Sequence, residues 1–436
     1  MLYPYPMKRF KLLITLLGVG ILLLWGLFLP ELPTRGEPPA KIFGEVWQTV
    51  NDNFYDSKFN GVDWKALKQK YESQVIKAHS QEEAADIINQ MLAELKTSHT
   101  RFYTPLEPAY YQVLGIFAPR IPDLQQQLKK IFPQGKIEYS GIGIFTKDIN
   151  GKTFVSGVLD GSPAANAGLL AGDRIISVEG RPFKPVQSFE GKAGQNVKMK
   201  IERSRSGDPG ESLNTQQEIT VTPKMLDATT MFLDAMQAST QIIERDGKKI
   251  GYVHIWSYAG DQYQEQLESD LFYGRLREAD GLVLDLRDGW GGAPLGALNI
   301  YTARGPSVTN IRRDGRRGTD IAHWNKPVVM IVNEGSRSAK EILAYGFQQY
   351  DIGPVVGTKT AGAVVAGFPF LMSDNSLLYV AVADVYVDGN KRIEGVGVTP
   401  DVVVPFSPEY TQGADPQKER GIQVAIAAIK KLMANS

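Results

Sequence analysis

The chain contains no cysteine, which removes a disulfide framework, a thiol nucleophile, thiolate metal sites and cysteine lipidation from its possible chemistry. It also lacks net charge: 48 Lys and Arg balance 48 Asp and Glu, which leaves no extended basic face for nucleic acid, so no nucleic-acid partner is expected. Histidine is scarce. With only four, His79, His99, His254 and His323, each candidate base of that type can be weighed individually. No His, Asp and Glu cluster has metal-ligand spacing, and Gly141-Ile142-Gly143 lacks the following helix and phosphate context of a nucleotide fold, so neither a metal nor a cofactor is expected.

One long hydrophobic run is present. Lys8, Arg9 and Lys11 precede 18 uncharged residues from Leu12 to Leu29, closed by Pro30 and nearly enough to cross a bilayer as a helix. Residues 1–30 therefore read as a membrane anchor with its basic end in the cytoplasm and the rest of the chain outside it. A cleaved signal would look similar, but no small-x-small site stands before Gly36. The compartment implied is a bacterial-type cell envelope or a thylakoid-lumen-like space, with the protein anchored in the inner membrane, or secreted if the segment is cleaved.

At 436 residues, 43% of them hydrophobic, the chain is long enough for two or three domains. After a proline-rich linker at 31–39, residues 40–134 read as a helical domain, because Ile42, Val46, Val50 and Phe54, then Ala84, Ile87, Ile88, Met91, Leu92 and Leu95, recur at about one helical turn. From 135 to 226 the pattern changes to short β-prone runs around one small-residue helix. Within it, Ser140-Gly141-Ile142-Gly143-Ile144, then Gly161 to Leu169, then Gly172 to Gly180, resemble a PDZ domain in order and spacing. That resemblance implies capture of an extended peptide as an added strand, with Ile142, Gly143 and Ile144 matching the loop whose N–H groups receive a terminal carboxylate. A small β domain used only as a spacer is the plainer reading.

Residues 227–436 alternate strands and helices as an α/β layer does. Strands are expected at Ile250 to Trp256, Gly281 to Leu286, Pro327 to Val332, Gly353 to Val356, Leu377 to Val382 and Val402 to Val404; helices are expected at 260–278, 293–303, 338–350 and 416–433. Val328 to Ile342 reads as a buried strand, a tight turn and a helix beginning near Ser338, where unpaired N–H groups and the positive dipole end favour a developing oxyanion. The same residues also fit a helix cap, with Ser338 at the N-cap and Glu341 completing a capping box. Asp285 and Arg287, on one face of a strand, suit a buried ion pair better than catalysis.

Taken with Gly251 to Ile255, Asp280 to Gly292 and the PDZ-like segment, this stretch resembles the tail-specific, or C-terminal processing, serine peptidases from about residue 40 to 405. The resemblance implies an α/β catalytic core of the ClpP/crotonase-like type, preceded by a helical N-terminal domain and an inserted PDZ-like β domain. It carries Ser338 onto the nucleophile, and Gly292 and Ala339 onto the residues whose N–H groups form the oxyanion hole. The best-known members use a Ser/Lys pair, but Ala363 occupies the lysine position here, and Lys359 lies too early. Gln349 stands where some relatives have an acidic residue. The pattern is closer to the tricorn protease core, whose base is the histidine of a Ser-His pair assisted by a glutamate before Gly-Val-x-Pro-Asp. Ser98, His99 and Glu394 match those positions.

The expected activity is that of a serine endopeptidase acting on unfolded polypeptides or exposed C-termini. The alternatives are a Ser/Lys dyad using Lys359, or a silent, membrane-tethered peptide-binding scaffold. Oligomeric state and physiological substrate are left open.

Overall fold

The computed structural model describes residues 38–205, 213–294, 296–302, 307–321, 323–409 and 411–435. The hydrophobic run near the N-terminus and residues 31–37 of the linker lie outside them. Among the described residues, no helix is long and apolar enough to cross a membrane.

Three helices, Pro39–Asn53, Trp64–Val75 and Gln81–Ala93, form the N-terminal part. Asp63 and Ser80 start the second and third by accepting the N–H of Ala66 and Glu83, which satisfies donors that a helix start leaves open. Their apolar stripes meet in one core around Val46, Val50, Tyr71 and Ile88, where Trp47 and Trp64 stack at 6.2 Å. Each indole N–H donates to the other tryptophan's carbonyl, at 2.9 and 3.3 Å, so neither polar edge is left unsatisfied on burial.

The strand expected at Leu377 to Val382 forms, as Leu377–Ala383, but not in the main layer. It sits in a separate three-stranded sheet between Arg101–Tyr103 and Ala366–Leu371. Alternation explains the difference: Leu378 and Val380 enter the core of the N-terminal helices, whereas Leu377 and Tyr379 enter the larger central core. One strand thus joins two cores, and its partner strand Arg101–Tyr103 follows directly on Ser98 and His99.

The main sheet has six strands in the order Val402–Val403, Val355–Gly357, Val328–Val332, Gly281–Asp285, Lys248–His254 and Gln241–Arg245. All pairs are parallel except the last, which is antiparallel. The helix Pro416–Ala434 covers one face, laying Ile422, Ala425, Ile426 and Ile429 on Ile250, Val283, Val329 and Ile331. The helix Ala339–Gln349 follows Val328–Val332, so Ser338 stands beyond the carboxyl ends of parallel strands, where open α/β sheets hold their sites.

The helix expected at 260–278 is shorter, Asp261–Phe272, and that at 293–303 is reduced to Asn299–Thr302. Pro294 and Gly296 account for the second, being poor residues for a helix interior.

The inserted β domain is a five-stranded antiparallel meander in chain order: Ile144–Ile149, Lys152–Val158, Arg174–Val178, Val197–Arg205 and Leu213–Val221. Ser162 accepts the Ala165 N–H at 3.2 Å and starts the short helix Pro163–Asn166. A two-strand pair, Glu138–Gly141 with Lys224–Asp227, closes the base of the insertion.

Candidate active site

The strand end and turn before Ser338 are tied down by side chains. Ser336 donates to the Leu286 carbonyl at 2.9 Å and accepts the Asn333 N–H at 3.0 Å; the Asn333 side-chain oxygen in turn accepts the N–H groups of Asp288 and Gly335. Ser338 itself has φ +60°, a region that costs a non-glycine residue energy and persists only when its surroundings impose it. Its N–H donates to the Ala363 carbonyl at 2.7 Å, and its side chain does not cap the helix.

Ser338 occupies the N-cap position, but the serine half of the capping box is not formed. Glu341 is buried and holds a loop instead, accepting from the Thr360 hydroxyl at 2.5 Å and from the N–H groups of Gly362 and Ala363 at 2.7 Å each. Burial pushes the Glu341 carboxyl above its ordinary pKa.

The glycine loop lies against the serine. A side chain on Gly291 would overlap the Ser338 Cβ, and one on Gly292, at φ +85°, would overlap the Ala259 backbone. Only glycine leaves room for that approach. Among the described residues, no hydrogen-bond partner is found for the Gly292 N–H.

The destination of Lys340, in the first turn of the same helix, is what sequence reading missed. Its ammonium is buried and donates to the carbonyls of Trp256 and Asp288, at 3.1 and 3.0 Å, and so clips together the two segments that flank the glycine loop. Burial pushes its pKa down to about 7. Lys and Glu are rarely fully buried without partners, but a Lys-Glu pair on a helix gives no sign in sequence of which carbonyls it will meet.

On the other side, His99 also has positive φ, at +54°, and its Nδ1 lies 2.8 Å from the Ser98 hydroxyl. That hydroxyl donates its single proton to Glu394 at 2.9 Å, so toward Nδ1 it can only accept. The proton therefore sits on Nδ1, and Nε2 carries the basic lone pair. Glu394, buried, also accepts the N–H groups of Ser98 at 2.9 Å, Val364 at 2.6 Å and Val365 at 3.1 Å. Burial raises its pKa, but these donors outweigh that effect and hold the carboxyl below its usual value. Desolvation of the His99 ring lowers its pKa to about 4, opposed by the Glu394 charge and helped by that of Arg337.

One peptide unit links the two halves. Its carbonyl end, on Ala363, accepts the Ser338 N–H, and its N–H end, on Val364, donates to Glu394. Among the described residues, no hydrogen bond joins the Ser338 hydroxyl to His99.

The competitors fall away. His254 is buried in the sheet, stacked on Trp256 at 3.9 Å, with Nε2 3.1 Å from the Arg287 carbonyl. Lys359 and Gln349 are exposed. Asp285 and Arg287 form a buried pair at 2.6 Å, which Asp415 extends, and the Tyr252 hydroxyl also donates to Asp285.

In the β domain, the carbonyls of Ile142 and Gly143 accept from Ala164 and Leu159 at 2.9 Å each, while no partner is found among the described residues for the Gly143 N–H. Residues 142–144 line a cleft of about 940 Å³ that continues to Trp290 and Arg337 beside Ser338.

The chain's segments match known families in the same order. Residues 249–404 match peptidase family S41. They belong to that family of serine peptidases. Residues 37–93 match the tricorn protease C1 domain and residues 154–203 a PDZ domain. A carboxyl-terminal-processing protease of Synechocystis sp. is 26% identical, over 89% of this chain and 87% of its own. Tricorn protease homolog 1 of Streptomyces coelicolor is also 26% identical over 92% of this chain, which spans 36% of that longer protein. The solved tricorn protease superposes on 90% of this chain and 37% of its own with a TM-score of 0.50 at 18% identity, a likeness of fold. The S41 domain contributes Ser338, the glycine loop and Glu394, whereas Ser98 and His99 follow the C1 segment.

Proposed function

We propose that this S41 peptidase is an endopeptidase that cleaves unfolded or flexible polypeptides, receiving their C-terminal tails in the PDZ loop at Ile142, Gly143 and Ile144. The observation that carries the reading is the hydrogen-bonded chain Glu394, Ser98, His99, joined to Ser338 through the Ala363-Val364 peptide.

In this reading substrate brings the Ser338 hydroxyl within reach of His99 Nε2. The hydroxyl proton passes to Nε2 as Oγ bonds to the scissile carbonyl carbon, and the negative charge moves to the carbonyl oxygen beside the N–H groups of Gly292 and Ala339. Collapse expels the amine, which takes the proton from His99 and leaves an acyl-enzyme. Water, activated by the same imidazole, then releases the acyl fragment. Glu394 stabilises the imidazolium through Ser98, and Lys340 positions the glycine loop.

The N-terminal hydrophobic run would tether this machinery outside the cytoplasm, in an envelope or lumen-like compartment. A Ser/Lys359 dyad is disfavoured because Lys359 is exposed. The test is cleavage of an unfolded reporter protein by the unmodified enzyme and by S338A, H99A and K359A. Loss with the first two alone supports the reading, and loss with K359A contradicts it. No cleavage by the unmodified enzyme, with peptides still bound, would indicate a scaffold.

A further inference from the structure

The residue before the nucleophile, Arg337, is half-buried and lines the cleft that runs from the PDZ loop toward Ser338. Its guanidinium lies 5.9 Å from the Trp290 ring centre, and its Nε makes one long hydrogen bond, 3.4 Å, to the Gly335 carbonyl. Its positive charge is felt at His99, Tyr103 and Tyr379.

The carboxylates lining the same cleft are occupied elsewhere. Glu107 pairs with Arg101 at 3.0 Å, Glu334 with Lys147 at 3.4 Å and Asp415 with Arg287 at 2.6 Å. Asp288 takes the Asn333 amide at 3.0 Å, and Asp160 the Trp256 indole N–H at 3.3 Å. Two cleft cations have no carboxylate partner among the described residues. Lys418 is one, seated over the Tyr252 ring at 3.7 Å, and Arg337 is the other. A guanidinium partly withdrawn from water, with an open planar fork of donors, is matched to a carboxylate.

We propose that Arg337 anchors an Asp or Glu side chain of the bound polypeptide close to the scissile bond, and so selects acidic sequence at the cleavage site. The inference rests on the peptidase reading above, in which the substrate chain is laid from the PDZ loop past Arg337 to Ser338.

The test compares kcat/KM for matched flexible peptides that carry Glu, Gln or Lys at successive positions around the cleavage site, each with a free or an amidated C-terminus. The unmodified enzyme is expected to favour one Glu position over Gln by roughly tenfold or more. A Glu preference seen with both the free and the amidated C-terminus identifies a side chain as the source, whereas an acid-over-amide preference that R337Q alone abolishes would contradict the side-chain anchor. In R337Q that ratio should fall toward one, in R337E it should turn toward Lys, and in R337K, which keeps the charge, part of it should survive. Because each ratio is taken within one enzyme, a general loss of activity does not imitate the result. Equal ratios in the unmodified enzyme and R337Q, or no preference in the unmodified enzyme, would overturn the anchor. If no peptide is cleaved at all, the peptidase reading fails, and the same ratios measured as peptide binding constants to the unmodified protein and R337Q decide on Arg337 separately.

Discussion

The turn that presents Ser338 and the turn that presents His99 both force a non-glycine residue to positive φ, yet they are built in opposite ways. The side chains that fix the serine turn lie close to it in sequence, Asn333, Ser336, Lys340 and Glu341, and reach from there to Leu286, to the carbonyls of Trp256 and Asp288 and to the loop at 360–363. The histidine turn is assembled from distant segments, since Ser98 and Glu394, 296 residues apart in the chain, must meet before Nδ1 acquires its partner. A nucleophile needs a rigid exposed elbow, which one strand-to-helix junction can supply. A base needs a fixed tautomer and a buried counter-charge, which here takes two parts of the fold.

This contrast can be broken at either end. The largest effects should come from S338A and H99A, each lowering kcat/KM roughly 10⁴-fold or more, with the double variant little worse than either single one. Additive losses would mean that the two residues do not act as a unit. E394Q should cost less, about 10²- to 10⁴-fold, because Ser98 still orients the ring while the stabilising charge is lost.

The pH profile sharpens the same point. If His99 is the neutral base proposed, its lowered pKa keeps it neutral down to about 4, so kcat/KM should hold from about pH 5 upward and fall roughly tenfold per unit below about 4. Since the Glu394 charge raises the His99 pKa, E394Q should move that acid limb to still lower pH. A limb that stays in place would mean that Glu394 does not act on His99.

On the serine side, K340M should lower kcat by about 10²-fold with little change in KM, through a displaced glycine loop. K359A should change kcat/KM by less than about twofold, as an exposed lysine without a catalytic role would.

What could be read from sequence follows the same division. Five of the six main-sheet strands and the serine helix are short-range patterns of apolar residues and breakers that form within a few residues of expectation, whereas the edge strand Gln241–Arg245 was not expected. Ser98, His99 and Glu394 were legible only by resemblance, since nothing local tells a turn histidine that one carboxylate will reach it across the fold. The destination of Leu377–Ala383 was hidden because both its faces are apolar, and period-two alternation cannot say which two cores a strand divides. In sequence Glu341 read as the second half of a capping box, and nothing in the local pattern marks Lys340 as buried. Their burial depends on the loops at 256–259, 288–292 and 360–363 closing over them.

The proposed activation of Ser338 runs through His99. Its most direct measurement is the rate at which a fluorophosphonate labels Ser338, followed by mass spectrometry across pH in the unmodified enzyme, H99A and K359A. Labelling at Ser338 that loses at least about 10³-fold in H99A and is unchanged in K359A is the predicted result. Labelling that persists in H99A and disappears in K359A would contradict it.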